Sequence, residues 1–382
     1  MAPRVPSGAI KVDFAQQWAT PIAVGIACVG VIVLLALFSM IALSPEYMRG
    51  SGYDFNAYYT AAQRFLSTGS PYQDLTLGGP FRPGPGGLYL YAPPLALLFA
   101  PITALPHDSA MLLWFGLRIC LFGLTCALMP VPRNVRLSVF GVGALSYPVL
   151  HDLVLGNVSL VVTFLGVAMW RWLDRPVGSV ALAVSLTLRP TMALFLPWWL
   201  LRGRWRPVAW TLIALGVLVV ATLPFVAFPV LLDYITVLRN VTGMTGVPYN
   251  VDPGSAVLLL GGPDWLATLA LISAYLVAVT AAVWSLRRDR ELSFVVTFMA
   301  TLLLSPLIWD HYLTHLIVPA AFLAARGRPW GVLLPLLGWL PPPALPMAAL
   351  VAMLVPFIVP NRGEPSGTVL RLLRRPASIG EV

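Results

Sequence analysis

Long apolar runs separated by short polar turns dominate this chain. The first, residues 21–43, holds no charged residue and exceeds the roughly 20 residues a helix needs to cross a bilayer core of about 30 Å. Similar runs follow, and the pattern predicts helices at about 21–44, 108–129, 135–150, 156–173, 177–188, 190–201, 207–228, 264–286, 291–306, 311–325, 329–340 and 345–360. The expected fold class is therefore all-α, a polytopic transmembrane helical protein of about twelve spans. Residues 1–20 form a cytoplasmic N-terminal segment, 21–360 the multi-span membrane domain, and 361–382 a basic cytoplasmic tail. The first run has no small-residue cleavage site behind it, since Leu43-Ser44-Pro45-Glu46 follows, and is read as a retained anchor.

Two departures from a plain series of spans stand out. The segments either side of Arg189-Pro190 have about a dozen residues each, or about 18 Å of helix. A hairpin that short does not span, and irregular backbone at membrane depth is tolerated only inside protein or against an aqueous cavity. A water-filled recess on the non-cytoplasmic side is the expected binding site. The second departure is the first outer loop, 45–106, too long for a simple connection. Within it, residues 53–67 have helical periodicity and meet a stop at Thr68-Gly69, 78–87 (GGPFRPGPGG) reads as loop, and 95–105 is an apolar run too short to span, expected along the interface.

Composition agrees: 58% of residues are hydrophobic and 10% charged, against roughly 25% charged in soluble domains. The net charge of +9 would point to nucleic acid in a soluble protein, but here the basic residues sit in short turns. Arg4 and Lys11, Arg133 and Arg136, Arg171 and Arg175, Arg202 to Arg206, Arg287 to Arg290, Arg326 and Arg328, and Arg362 to Arg375 alternate with base-poor turns holding most carboxylates. The positive-inside rule then places both termini in the cytoplasm of a multi-pass plasma-membrane protein. Membrane lipids are its surroundings and nucleic acid is no partner. Cys28, Cys120 and Cys126 lie in apolar helices without metal-type spacing.

Asp54 follows the first span and opens an aromatic-rich helix with Asn56, Tyr58 and Tyr59. It reads either as a helix N-cap or as a general base at the membrane surface. Arg118 and Arg189 lie inside apolar segments, where a lipid-facing charge costs at least about 2.5–3.5 kcal/mol. A structural ion pair is expected for Arg118, and an anionic ligand for Arg189 at the apex of the short hairpin. Trp309-Asp310-His311-Tyr312 after Ser305-Pro306, and His151-Asp152 with Asn157, cluster groups able to donate, accept and stack. His311 and His315 form an i, i+4 pair with no third ligand by spacing, so no metal site is assigned, although Asp54, Asp152 and Asp310 could converge on a cation. No Walker A, GxGxxG or GxSxG loop is present, which argues against an ATP-driven pump or a serine hydrolase.

Taken in order, these motifs resemble glycosyltransferase family 87, polyprenol-phosphate-mannose-dependent mannosyltransferases of the GT-C class from actinobacterial envelopes. Tyr53-Asp54-Phe55-Asn56-Ala57-Tyr58-Tyr59 is similar to the family's first-loop aspartate and helix, and Tyr89-Leu90-Tyr91-Ala92-Pro93-Pro94 to its aromatic-Pro-Pro segment. Leu155-Gly156-Asn157-Val158-Ser159 is similar to a Gly-Gln-Asn-type turn without the Gln. Leu188-Arg189-Pro190-Thr191 resembles a Lys-Pro turn with Arg for Lys, and Ser305-Pro306 with Trp309-Asp310-His311 a late Ser-Pro, Trp, His element. The resemblance runs from about residue 45 to 320.

It implies transfer of a hexose, mannose by first choice, from a polyprenyl-phosphate donor to a lipid-linked glycan or glycolipid acceptor on the outer face. Asp54 would be the base of an inverting displacement. Asn56, Tyr58, Tyr59, Arg82, His151, Asn157, Arg189, Trp309, Asp310 and His311 would bind substrate, Arg189 and His311 holding the departing phosphate, with no cofactor. Arabinofuranosyl transfer is the alternative sugar chemistry, and a transporter or flippase for a lipid-linked precursor the alternative class; no internal repeat of the transporter kind is visible.

Overall fold

The computed structural model describes residues 14–78, 87–242, 244–247 and 249–360. Helix makes up 79% of it, and no strand occurs among the described residues. Four helices are long and apolar enough to cross a bilayer: Ala19–Leu43, His107–Leu128, Trp205–Thr222 and Asp264–Ser285. Their outer faces are exposed Ile, Leu and Val, including Ile32, Leu117, Leu212 and Leu276. Such faces are stable against lipid and costly against water.

A fifth candidate is a bent pair of helices. Arg133–Ala144 and Tyr147–Leu155 meet at 63°, so the single helix expected over 135–150 is broken. Ser146 occupies the corner in extended backbone and Pro148 enters the second helix in its first turn, where a proline needs no amide partner. The break turns the second helix inward, which carries His151 and Asp152 toward the centre of the bundle.

The short hairpin takes the form anticipated for it. Pro176–Leu188 has 13 residues, about 20 Å at helical rise. Arg189 is extended, with φ −146° and ψ 97°, before the 3-10 turn Pro190–Leu194 and the helix Phe195–Leu201. Arg290–Leu303, of which 292–303 is buried throughout, runs through the middle. The segments 311–325 and 329–340, expected as α-helix, are in part 3-10: Asp310–Leu316 precedes Ile317–Ala325, and Pro329–Trp339 is 3-10 along its length. Prolines at 329 and 335 remove two backbone donors there.

In the 45–106 connection, Tyr53–Thr68 is a helix ended by Gly69 at φ 76°, the left-handed stop its sequence announces. Pro93–Phe99 and the 3-10 turn Ala100–Ala104 pack beneath it. Its buried face includes Phe55, Tyr58, Ala61, Ala62 and Phe65, and Phe55 and Tyr58 pack against Phe99 at ring separations of 6.3 and 5.2 Å. The glycine- and proline-rich segment read as loop, with Arg82, lies for the most part outside the described residues.

Candidate active site

Asp54 is not the helix cap. That position belongs to Gly52, with φ 77°, and Asp54 lies one residue inside the helix, its side chain turned into the protein and 6% exposed. The Asn157 amide donates to its Oδ2 at 2.9 Å. Asn157 is oriented in turn because its Oδ1 accepts from the Ser159 backbone N–H at 2.8 Å and the Ser159 hydroxyl at 2.7 Å. Burial raises the Asp54 carboxyl above its ordinary range, with His311 and the Asn157 amide opposing the shift.

On the other side of Asp54 lies His311, 2% exposed, its Nε2 3.9 Å from Asp54 Oδ2. The opposite ring nitrogen is held by Asp310. Asp310 Oδ1 accepts from His311 Nδ1 at 3.3 Å, from the His311 backbone N–H at 2.6 Å and from His151 Nδ1 at 2.9 Å. Partial burial would push Asp310 up, but the two imidazoles bonded to it bring it below the ordinary carboxylate range. With Nδ1 held by Asp310, the His311 Nε2 faces Asp54, and that buried atom has no hydrogen-bond partner.

Arg189 is buried, 6% exposed. Its guanidinium lies 3.7 Å over the Tyr312 ring, and it donates to Ser159 Oγ at 3.3 Å and to His315 Nε2 at 3.2 Å. Because arginine only donates, His315 Nε2 accepts, so its Nδ1–H points to Thr163 Oγ1 at 2.9 Å. No carboxylate lies within ion-pair distance of Arg189 among the described residues. Asp54, Asn157, Ser159 and Arg189 thus form one hydrogen-bonded chain. Tyr58 and Tyr91 close it on one side, their hydroxyls 3.1 Å apart.

Arg118 forms the ion pair expected of it, Nη1 to Asp152 Oδ2 at 3.2 Å with both side chains buried, and also caps the carbonyls of Asp152, Leu153 and Asn157. It secures the turn that presents Asn157, and it occupies Asp152, which therefore does not join Asp54 and Asp310. His311 and His315 also part company, one toward Asp54 and the other toward Arg189. The grouping able to hold a cation is instead His151, Asp310 and His311, whose ligand atoms lie within 4.8 Å of one another.

Tyr58, His151, Asn157, Asp310 and His311 surround Asp54 directly or through one neighbour, and Arg189 is joined to it through Ser159 and Asn157. Trp309 flanks the group, its ring 5.7 Å from His311. Asn56 and Tyr59 turn to the opposite face of their helix, where Asn56 meets His107 and the Tyr59 hydroxyl donates to Leu105 O at 2.9 Å. Helical spacing explains the split, since positions 54 and 58 share a face while 56 points away. Ser159, Tyr312 and His315 belong to the cluster without having been assigned a role from sequence. Each sits in or within a turn of a motif singled out there, the only signal available.

Membrane-length helices around a sequestered carboxylate and an uncompensated guanidinium define a helical membrane protein equipped for transfer chemistry out of bulk water. The model of glycosyltransferase family 87 matches residues 89–307, more than half of the chain, and the chain belongs to this family: it is a membrane glycosyltransferase. The matched region holds Tyr91, His151, Asn157, Ser159 and Arg189, while Asp54 precedes it and His311 follows close after its end. No curated protein and no solved structure matches the chain.

Proposed function

We propose that this glycosyltransferase moves a hexose, mannose by first choice, from a polyprenyl-phosphate donor to a lipid-linked glycan or glycolipid acceptor at the non-cytoplasmic face, with about twelve membrane segments in a GT-C-like arrangement and Asp54 as base. The observation that carries the reading is the pairing of a buried carboxylate with a buried guanidinium that no carboxylate neutralises, linked through Asn157 and Ser159.

An acceptor hydroxyl placed between Asp54 and His311 would point its hydrogen at Asp54 while its oxygen lies against the His311 Nε2 that has no partner. Asp54 removes its proton, the oxygen forms a bond to the anomeric carbon from the face opposite the phosphate, and the carbon–phosphate oxygen bond breaks with its electron pair leaving on polyprenyl phosphate. The proton remains on Asp54. Arg189 faces the charge that develops on the phosphate, and fixed donors in a water-poor site are a principal source of rate enhancement. The 3.9 Å approach of His311 to the carboxylate supports a role for it with the acceptor and the base rather than with the phosphate, which is left to Arg189. Asp310 and His151, about a quarter exposed, form the open side, and Trp309 is a platform for a sugar ring there.

The test is transfer by purified protein supplied with polyprenyl-phosphate mannose or arabinose and a glycolipid acceptor. Product from mannose with inverted configuration is the expected result. Product from arabinose alone would change the sugar, and movement of donor across vesicles without transfer would replace the enzyme reading by a transporter.

A further inference from the structure

An open groove of about 570 Å³ lies at the end of the molecule away from Asp54, between the Asp264–Ser285 helix and the segment 345–358. Leu276, Thr280, Trp284, Leu354 and Phe357 line it, and Arg288 stands at its end. From Leu276 to Trp284 the helix rises about 12 Å, comparable with the roughly 15 Å that one leaflet contributes to a bilayer core. Trp284 is exposed, and tryptophan favours the headgroup level of a membrane.

The basic residues at this end are unequally compensated. Asp289 and Glu291 both bind Arg326, at 3.0 and 2.9 Å, and Asp174 binds Arg204 and Arg290. Arg287 and Arg288 have no ion-pair partner among the described residues. Arg288 lies 5.8 Å from the Phe357 ring and donates through Nη2 to the carbonyls of Phe357 and Val359. Its Nε is buried without a partner.

We propose that this groove is a binding site for an anionic glycerophospholipid, one acyl chain lying along Leu276–Trp284 and the headgroup phosphate meeting Arg288, with Arg287 beside it. Basic pockets between membrane helices are suited to such headgroups. The chain's own 361–382 segment is a poor rival occupant, because Arg362, Arg371, Arg374 and Arg375 outnumber Glu364 and Glu381 there. The sugar donor is also excluded as the natural occupant. Arg290–Leu303 separates this end from the Asp310–His311 turn by 14 residues, about 20 Å of helix, so a donor seated here would hold its sugar far from Asp54.

Native mass spectrometry of the full chain, with phosphatidylglycerol and phosphatidylcholine of identical acyl chains, tests the site without reference to sugar transfer. The wild type should retain phosphatidylglycerol preferentially. Arg288→Gln should weaken that preference about fivefold, the factor corresponding to about 1 kcal/mol per membrane-surface arginine. Thr280→Trp, which fills the groove from an exposed position, should reduce retention of both lipids and carries the test if Arg288→Gln does not fold. Soluble glycerol 3-phosphate should not compete. Equal retention of the two lipids by the wild type, a preference that survives both substitutions, competition by glycerol 3-phosphate, or displacement by an equimolar polyprenyl phosphate would each overturn the proposal.

Discussion

A carboxylate that is to act as a base inside a membrane protein must be kept from water yet remain ionisable, and Asp54 meets both conditions. Burial raises its pKa, and Asn157 and His311 limit the rise. A raised pKa means that protonation disables the base at a higher pH than for a free aspartate, whose value is about 3.9. Transfer should therefore be full above the Asp54 pKa and fall tenfold per pH unit below it, with the acid limb of the kcat/KM profile lying above pH ~4. Asp54→Asn keeps the size and the bond to Asn157 but removes the basic oxygen. That variant should fold, bind donor nearly normally and transfer sugar at least about a hundredfold more slowly; a rate close to wild type would transfer the role of base to Asp310. At Arg189, substitution by Lys should retain part of the activity because a point charge still meets phosphate. Arg189→Met should lose donor binding with little change in thermal stability, since no carboxylate is stranded by its removal. If Arg189→Met instead unfolds the protein with donor affinity intact in the folded fraction, its role is structural.

Among the elements, the geometry of the site depends on how closely the Tyr53–Thr68 helix approaches the turn after Tyr147–Leu155. Gly156 makes that approach possible. It has φ 82°, and a Cβ there would lie 2.6 Å from Phe55 Cβ, while its carbonyl accepts from Trp114 Nε1 at 2.8 Å. Gly156→Ala combines backbone strain with a collision beside Asp54. It should cost about 1–3 kcal/mol in thermal unfolding and slow transfer by pushing Asp54 away from Asn157, whereas unchanged stability and rate would mean the two elements can slide. A second close approach, between the first span and Arg133–Ala144, has Gly30 against Gly141, where a Cβ on Gly141 would lie 2.3 Å from Ile26 O. Small residues let membrane helices pack backbone to backbone. This contact holds the bent pair, and hence His151, in place.

For the whole molecule, the proposed orientation can be tested by labelling. In a background lacking Cys28, Cys120 and Cys126, a membrane-impermeant thiol reagent added outside intact cells should modify Tyr249→Cys, at an exposed position of the 233–264 connection, and spare Arg206→Cys, also exposed; the reverse pattern would overturn both the topology and the face assigned to the site. Hydrophobic periodicity by itself determined that the chain is helical and belongs in a membrane, because runs of about 20 uncharged residues have no other stable use. The stop at Gly69, the short hairpin at Arg189 and the need of Arg118 for a buried partner were likewise legible, each being a local cost that the chain must relieve nearby. Whether Asp54 caps its helix was decided by tertiary structure, since the cap is Gly52, two positions earlier, and only packing fixes which way the carboxylate turns. Tertiary structure alone also separated Tyr58 from Asn56 and Tyr59, sent Asp152 to Arg118, and divided His311 from His315. These outcomes depend on contacts between residues distant in sequence, 103 positions apart for Asp54 and Asn157, and on the 63° bend. Neither leaves a trace in the local pattern of apolar and polar positions.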